Sequence, residues 1–310
     1  MTEYIVFIHG VNTRTRTEQP DYAKELIRSI DEKLSNLKLK QIPLFWGDVG
    51  LPQENDLLEK LKESKAWNRM WFHDFRSNQL MQFVGDAALY ISRHVGSKVV
   101  QRLAEQIKAN LPEQPSPEDR LHLITHSWGT VILFDVLFAG RWDNPEIPAY
   151  RSVQAIRQGI FGVAPNAEHG ITIASVHTMG SPIALFSLLD VQESGHDLTP
   201  KLEDFLKSLS KKLQEKKLPW RNYIHPGDPV AWPLDPLLFR LLKGVENCVD
   251  IKDVVTHNAD LSDFLTQPFS QTFLALLHGG DAHGSYWTSQ EVVKEITKTI
   301  TQAPHSSVAV

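Results

Sequence analysis

The sequence predicts an α/β protein: a mostly parallel central sheet flanked by helices, with a helical insertion before the third strand. Three observations carry this. Short apolar runs rich in Ile, Val, Leu and Phe alternate with longer stretches whose apolar residues recur every three or four positions. Most of those runs end abruptly in polar, Gly- or Pro-containing turns, as strands do where they hand over to a crossover helix. The composition, 42% hydrophobic and 22% charged over 310 residues, is that of a globular chain long enough to bury a sizeable core. Residues 1–310 read as one domain, with 54–118 as a helical insertion within it.

The first strand is expected at 4–8, ending in the turn His9-Gly10-Val11-Asn12. Tyr22, Leu26, Ile27, Ile30 and Leu34 then share one helical face. A second strand is expected at 42–46. A long helical stretch follows over about 54–110, with a stripe through Leu80, Val84, Ala87, Ile91 and Val95 that continues to Val99, Leu103 and Ile107. Trp67, Met70, Trp71, Phe72 and Phe75 precede that stripe, and LPEQPSP ends the section. The third strand, 121–125, runs into His126-Ser127-Trp128-Gly129 and an apolar helix. Residues 141–170 read as loop with one helix at most. Further strands are expected at 171–177, 222–225 and 248–255, with helices marked by Leu202 to Leu213 and by Val292 to Ile300. There is no internal repeat.

The charge balance excludes some functions. Lys and Arg number 32 against 37 acidic residues, a net charge of −5, so no basic nucleic-acid footprint is expected. The one cysteine, Cys248, makes neither an internal disulfide nor a cysteine metal cluster, and reads as a small buried residue. No secretory leader and no apolar run of about 18 residues is evident. The simplest reading is a cytoplasmic chain without metal or organic cofactor.

The most informative feature is strand–Thr125-His126-Ser127-Trp128-Gly129–helix. A sharp strand-to-helix turn holds a serine oxygen clear of the sheet, and small neighbours relieve its crowding. Gly129 meets that need, whereas Thr125 and Thr130 stand where glycine is more usual. The alternative is an ordinary serine N-cap. If Ser127 is a nucleophile, the Trp128 amide at the helix start is one oxyanion donor. The second must come from a loop at the same sheet edge, which points to the amide of Val11, with Gly10 as the neighbouring possibility. His9 and Asn12 of the same turn are expected substrate contacts. His126 should point away from the serine and pack.

A nucleophilic serine needs a histidine base and a carboxylate to orient it. Asp228, in His225-Pro226-Gly227-Asp228-Pro229, sits just past the fifth strand. Asp190, Asp250 and Asp253 are competitors, and a plain turn aspartate is the bland reading. Two of the thirteen histidines lie late enough to be the base. His283, in a glycine-flanked loop before the last helix, is preferred to His257.

The chain order Ser127, Asp228, His283 resembles that of the α/β-hydrolase fold. THSWG, HTMGSP, HPGDPVAWPL and HGSYW are also similar to segments of the class three, fungal-type lipases. That resemblance implies Ser127 as nucleophile, Asp228 as acid and His283 as base, in a serine hydrolase that cleaves carboxylic esters through an acyl-enzyme. The HGVN turn looks more like that of other esterases of the fold. An acyltransferase using the same triad and a non-catalytic binding protein are the alternatives. The expected partner is a small-molecule acyl ester. If Trp71 and Phe72 belong to a lid over an apolar acyl site, rather than packing helices on the sheet, the ester is lipid-like or carries a long acyl chain. Arg141, Arg151 and Arg157 read as solvated surface, with an anionic substrate as the alternative; the Lys207–Lys217 basic stretch reads as a solvated helix face, with anionic lipid as the alternative.

Overall fold

In a computed structural model, the protein is described over residues 1–11, 13–14, 21–77, 81–160, 170–186, 198–242, 244–256 and 282–304. Six strands, β1 (Glu3–Ile8), β2 (Leu39–Leu44), β3 (Arg120–His126), β4 (Thr172–Met179), β5 (Leu218–Ile224) and β6 (Val249–Val255), form one sheet. Every pairing is parallel, in the order β2-β1-β3-β4-β5-β6. β1, β3 and β4 are buried at every position. Helices cover both faces, so β1 reads as a nearly continuous apolar run and the polar residues of β3 and β4, His122, Ser175 and His177 among them, are buried too.

Among the described residues the helices are α1 (Lys24–Lys33), α2 (Leu51–Lys62), α3 (His73–Phe75), α4 (Met81–Ile91), α5 (Arg93–Asn110), α6 (Trp128–Phe138), α7 (Tyr150–Gly159), α8 (Ile183–Phe186), α9 (Thr199–Lys212), α10 (Asp235–Leu241) and α11 (Gln290–Gln302). On one face Ile5, Phe7, Ile124, Met179 and Tyr223 pack against Leu26 and Ile30 of α1 and Val292, Ile296 and Ile300 of α11. On the other, Val6, Ile8, Ile42 and Leu123 meet Val99 and Leu103 of α5, Ile132 and Val136 of α6, Val153 of α7 and Leu206 of α9. Part of the region read as an insertion, α5, therefore belongs to the main core. No helix among the described residues is long and apolar enough to cross a membrane.

Two boundaries differ from the sequence reading for visible reasons. The second strand ends at Leu44, because the Phe45 amide leaves the sheet and donates to Gln106 Oε1 at 2.9 Å. Pro43 is tolerated because β2 is an edge strand. The stretch 54–110 is not one helix. Phe72 is left-handed, at φ 62°. At the α4–α5 corner the Ser92 hydroxyl caps the new helix by accepting from Val95 N at 3.1 Å. Gly96 is needed there, since a Cβ would lie 2.2 Å from the Tyr90 carbonyl.

The chain passes from β1 outward to β2, then returns to the other side of β1 to lay down β3. The reversal opens a crevice beyond the carboxyl ends of β1 and β3, where open α/β sheets bind their ligands. His9, Gly10, Val11 and Ser127 all sit at that edge.

Candidate active site

Ser127 is the link between β3 and α6, with φ 54° and ψ −129°. A non-glycine residue rarely adopts this backbone, and its strain is of the kind that surrounding structure must enforce. The enforcement is visible. Ser127 N donates to the Met179 carbonyl at 2.9 Å and Thr130 N donates to the Ser127 carbonyl at 3.0 Å. Gly129 lies under β1, where a Cβ would come within 2.6 Å of the Ile8 carbonyl oxygen and 2.4 Å of that of His9. Thr125 and Thr130 brace the elbow through a hydroxyl–hydroxyl bond of 2.8 Å, and Thr125 Oγ1 also reaches the His177 carbonyl at 3.3 Å.

Gly10 backs directly on the serine: a Cβ there would lie 2.4 Å from Ser127 Cβ and 2.9 Å from its Oγ. Thus the turn expected to supply the second oxyanion amide does adjoin Ser127. Val11 is half-buried against the core, as is Trp128. His9 has no ring nitrogen left for a substrate. Its Nδ1 donates to the Gly10 carbonyl at 2.6 Å and its Nε2 accepts from Trp46 N at 3.1 Å. The ring stacks on Trp46 at 5.2 Å and 6°. Burial, the dominant effect, holds it neutral down to about 4. Asn12 and His257 lie outside the described residues, as does Asp190.

His283 Nδ1 donates to Asp228 Oδ2 at 2.9 Å. Asp228 is buried and also accepts from the Tyr286 hydroxyl, at 2.7 Å, and from Val230 N, at 2.9 Å. Burial alone would raise its carboxyl. The His283 hydrogen bond and charge, with the two further donors, overcome that and hold it below the ordinary range. Burial first and the Asp228 charge second push the Tyr286 phenol up, so it remains a donor. Gly180, at φ +55°, makes room for this pair: a Cβ would be 2.8 Å from Asp228 Oδ2 and 3.1 Å from His283 Nδ1. The competing acids are otherwise engaged. Asp250 pairs with Arg221, and Asp253 accepts from Asn222 Nδ2 and the amides of Leu234 and Asp235.

Ser127 Oγ and His283 Nε2 are among the buried polar atoms at this edge that make no hydrogen bond. They are the atoms between which a proton would pass in acyl transfer. His126 ties the two halves together by donating Nε2–H to the His283 carbonyl at 2.7 Å, with ring centroids 4.6 Å apart. Burial, then the His283 charge, lowers it to about 3, so it stays neutral.

Beside Trp128 a small cleft opens to solvent. Ile91, Val131 and Ile183 line it together with the Asp135–Arg141 ion pair. Arg141 is not free surface: it is bound to Asp135 and lies over the Tyr90 and Trp142 rings. Arg157 is bound to Asp143 and two main-chain carbonyls. Trp71 and Phe72 are 78% and 71% exposed, on the short segment between α2 and α4. Among the described residues no group of three His, Cys, Asp or Glu side chains could hold a metal ion. Sequence reasoning missed the role of Tyr286, although it stands inside the HGSYW segment, and the Thr125–Thr130 brace. No known family model matches the chain, and no curated protein is detectably similar to it.

Proposed function

We propose that the protein is a serine hydrolase of carboxylic esters, with Ser127 as nucleophile, His283 as base and Asp228 as the orienting acid. One observation carries the reading. A serine in a left-handed strand-to-helix turn keeps a buried, unpartnered hydroxyl at the edge where a histidine, oriented by a buried aspartate, keeps an unpartnered Nε2.

In the proposed reaction Ser127 Oγ attacks the ester carbonyl while His283 Nε2 takes its proton. Asp228 accepts from Nδ1–H and stabilises the imidazolium. The negative oxygen of the tetrahedral intermediate is held by the main-chain amides of Trp128 and Val11. Collapse expels the alcohol, protonated by His283, and leaves an acyl-serine. Water, deprotonated by His283, then releases the acid. His9 and Trp46 act behind the turn rather than on substrate.

The cleft beside Trp128 supports an apolar acyl group. The exposed pair Trp71 and Phe72 supports a lipid-like ester. The buried, unpaired Cys248 suits a reducing, cytoplasmic setting.

A fluorophosphonate probe tests the reading. Labelling of the wild type that disappears in Ser127→Ala is expected. Labelling that survives in Ser127→Ala would identify another serine, and an unlabelled, folded wild type would refute the assignment. A screen of p-nitrophenyl esters from acetyl to palmitoyl then reads the acyl preference; a strong bias to acetyl would eliminate the lipid-like substrate.

A further inference from the structure

Arg14 follows closely on the turn that carries Gly10 and Val11, and its guanidinium is gripped by carboxylates from two other elements. Nη2 donates to both carboxylate oxygens of Glu54 on α2, at 3.1 and 2.9 Å. Nη1 donates to Asp86 Oδ1 on α4 at 3.0 Å and to the Gly47 carbonyl, just past β2, at 2.7 Å. Glu54 and Asp86 are 6% and 2% exposed. The planar fork of arginine suits such a two-sided grip, and burial shields it from salt. Gly50 and Gly85 allow the close packing: a Cβ on Gly85 would sit 3.1 Å from Glu54 Oε1, and one on Gly50 3.4 Å from Asp86 Oδ1. The turn is pinned at its other end by His9 on Trp46. Between the two pins lies Gly10, against Ser127.

We propose that Arg14 is a positioning residue: its clasp by Glu54 and Asp86 fixes the Gly10–Val11 turn against Ser127. The inference rests on the hydrolase reading of the site, in which that turn supplies an oxyanion amide.

The clasp also has a built-in pH dependence. Two carboxylates face one guanidinium, which leaves a buried excess of negative charge unless one carboxyl keeps a proton. Glu54 and Asp86 grip the same guanidinium, so a proton on Glu54 relieves their mutual repulsion. Burial first, and the Asp86 charge second, raise Glu54 to about 7 against the pull of Arg14. The other charged or titratable groups at the turn are Asp48, paired with Arg102 at 3.4 Å, and the neutral His9. Above neutrality the proton leaves, the carboxylates repel, and the clasp loosens.

The test uses the full chain and three readouts: hydrolysis of a p-nitrophenyl ester, the rate of fluorophosphonate labelling, and hydrogen–deuterium exchange of the peptide over residues 8–14. Arg14→Ala is expected to lower kcat about tenfold or more with a smaller change in KM, and to speed exchange of that peptide. Should Arg14→Ala not fold with two carboxylates stranded, Arg14→Met/Glu54→Gln/Asp86→Asn replaces it, and the same losses are expected. Glu54→Gln keeps both hydrogen-bonding functions and has no proton to lose. It is expected to retain kcat at mildly acidic pH and to abolish the fall in kcat that the wild type shows above about pH 7. A folded Arg14 variant with wild-type kcat and exchange overturns the proposal, as does a high-pH fall that survives Glu54→Gln. A wild type that neither labels nor hydrolyses any ester refutes the hydrolase reading instead, and the exchange measurement still decides the clasp.

Discussion

One hydroxyl, that of Tyr286, joins two turns that the chain makes far apart. It donates to Asp228 Oδ2 at 2.7 Å and accepts from His225 N at 2.8 Å. It therefore fixes the carboxylate that orients His283 and satisfies a buried amide at the end of β5. Tyr286→Phe removes both bonds while keeping the ring in the hydrophobic cluster it shares with residues of α1 and α11. The buried His225 amide is then orphaned, at a cost of about 1–3 kcal/mol in urea unfolding. In steady-state ester hydrolysis kcat is expected to fall about tenfold with KM little changed, because Asp228 loses one of its three donors and His283 its fixed orientation. An unchanged kcat would mean that His283 and Val230 suffice to hold Asp228. His9 teaches the opposite lesson at the same scale. An imidazole in the HGVN turn reads from sequence as a substrate contact, yet its two nitrogens are engaged by the Gly10 carbonyl and the Trp46 amide.

At the scale of the element, the β3–α6 elbow has to hold Ser127 in a backbone conformation that costs about 1–3 kcal/mol. The two threonines that stand where glycine is usual are part of the answer, since their mutual hydrogen bond closes the elbow from strand to first helical turn. Thr125→Val and Thr130→Val keep the shape of each side chain and delete one hydroxyl each. A double-mutant cycle in urea is expected to give a coupling of about 1 kcal/mol, with the single variants each losing fluorophosphonate labelling rate. A coupling near zero would remove the brace from the account of the elbow. The same element shows what was legible in the chain. The strands leave short runs rich in Ile, Val and Leu bounded by turn residues, so all six were readable to within a few residues. Ser127, Asp228 and His283 sit in glycine-marked turns, which local sequence reveals. The Thr125–Thr130 bond, the Tyr286 bridge and the Arg14–Glu54–Asp86 clasp were not readable, because each depends on where side chains point across the fold. The corner at Ser92 was missed because a stripe of apolar residues runs on through a bend without losing its period.

Across the whole molecule, a chain of polar side chains crosses the sheet on the face covered by α1 and α11. Glu3 Oε2 meets His122 Nε2 at 3.0 Å, His122 Nδ1 meets Ser175 Oγ at 2.7 Å, Ser175 Oγ meets His177 Nε2 at 3.0 Å, and His177 Nδ1 meets the Tyr223 hydroxyl at 2.9 Å. Arg120 completes it by gripping Glu3. Each member is satisfied, which is what lets so many polar groups sit inside a sheet. The arrangement makes the fold sensitive to acid. His9, His122, His126 and His177 are all lowered, with burial the first cause in each, His9 to about 4 and His126 to about 3. Unfolded histidines take up protons near pH 6.5. Below that value the unfolded chain binds more protons than the native one, so stability falls as pH falls. Glu3 and Asp228, both held below the ordinary carboxylate range, lose their contribution further down in the same direction. Glu54 alone among these groups works the other way. Raised to about 7, it contributes most at low pH, and that contribution is lost as pH climbs through its folded value. Four histidines against one carboxyl give a net slope that the histidines set. Thermal scans are expected to show Tm falling by about 10 °C or more between about pH 7 and about pH 4.5. Glu54→Gln should steepen that fall, because it removes the one opposing group. A Tm that stays level over this range would mean that the buried rings take up protons without unfolding, and imidazole NMR signals that titrate in the native protein would identify which link of the chain had opened.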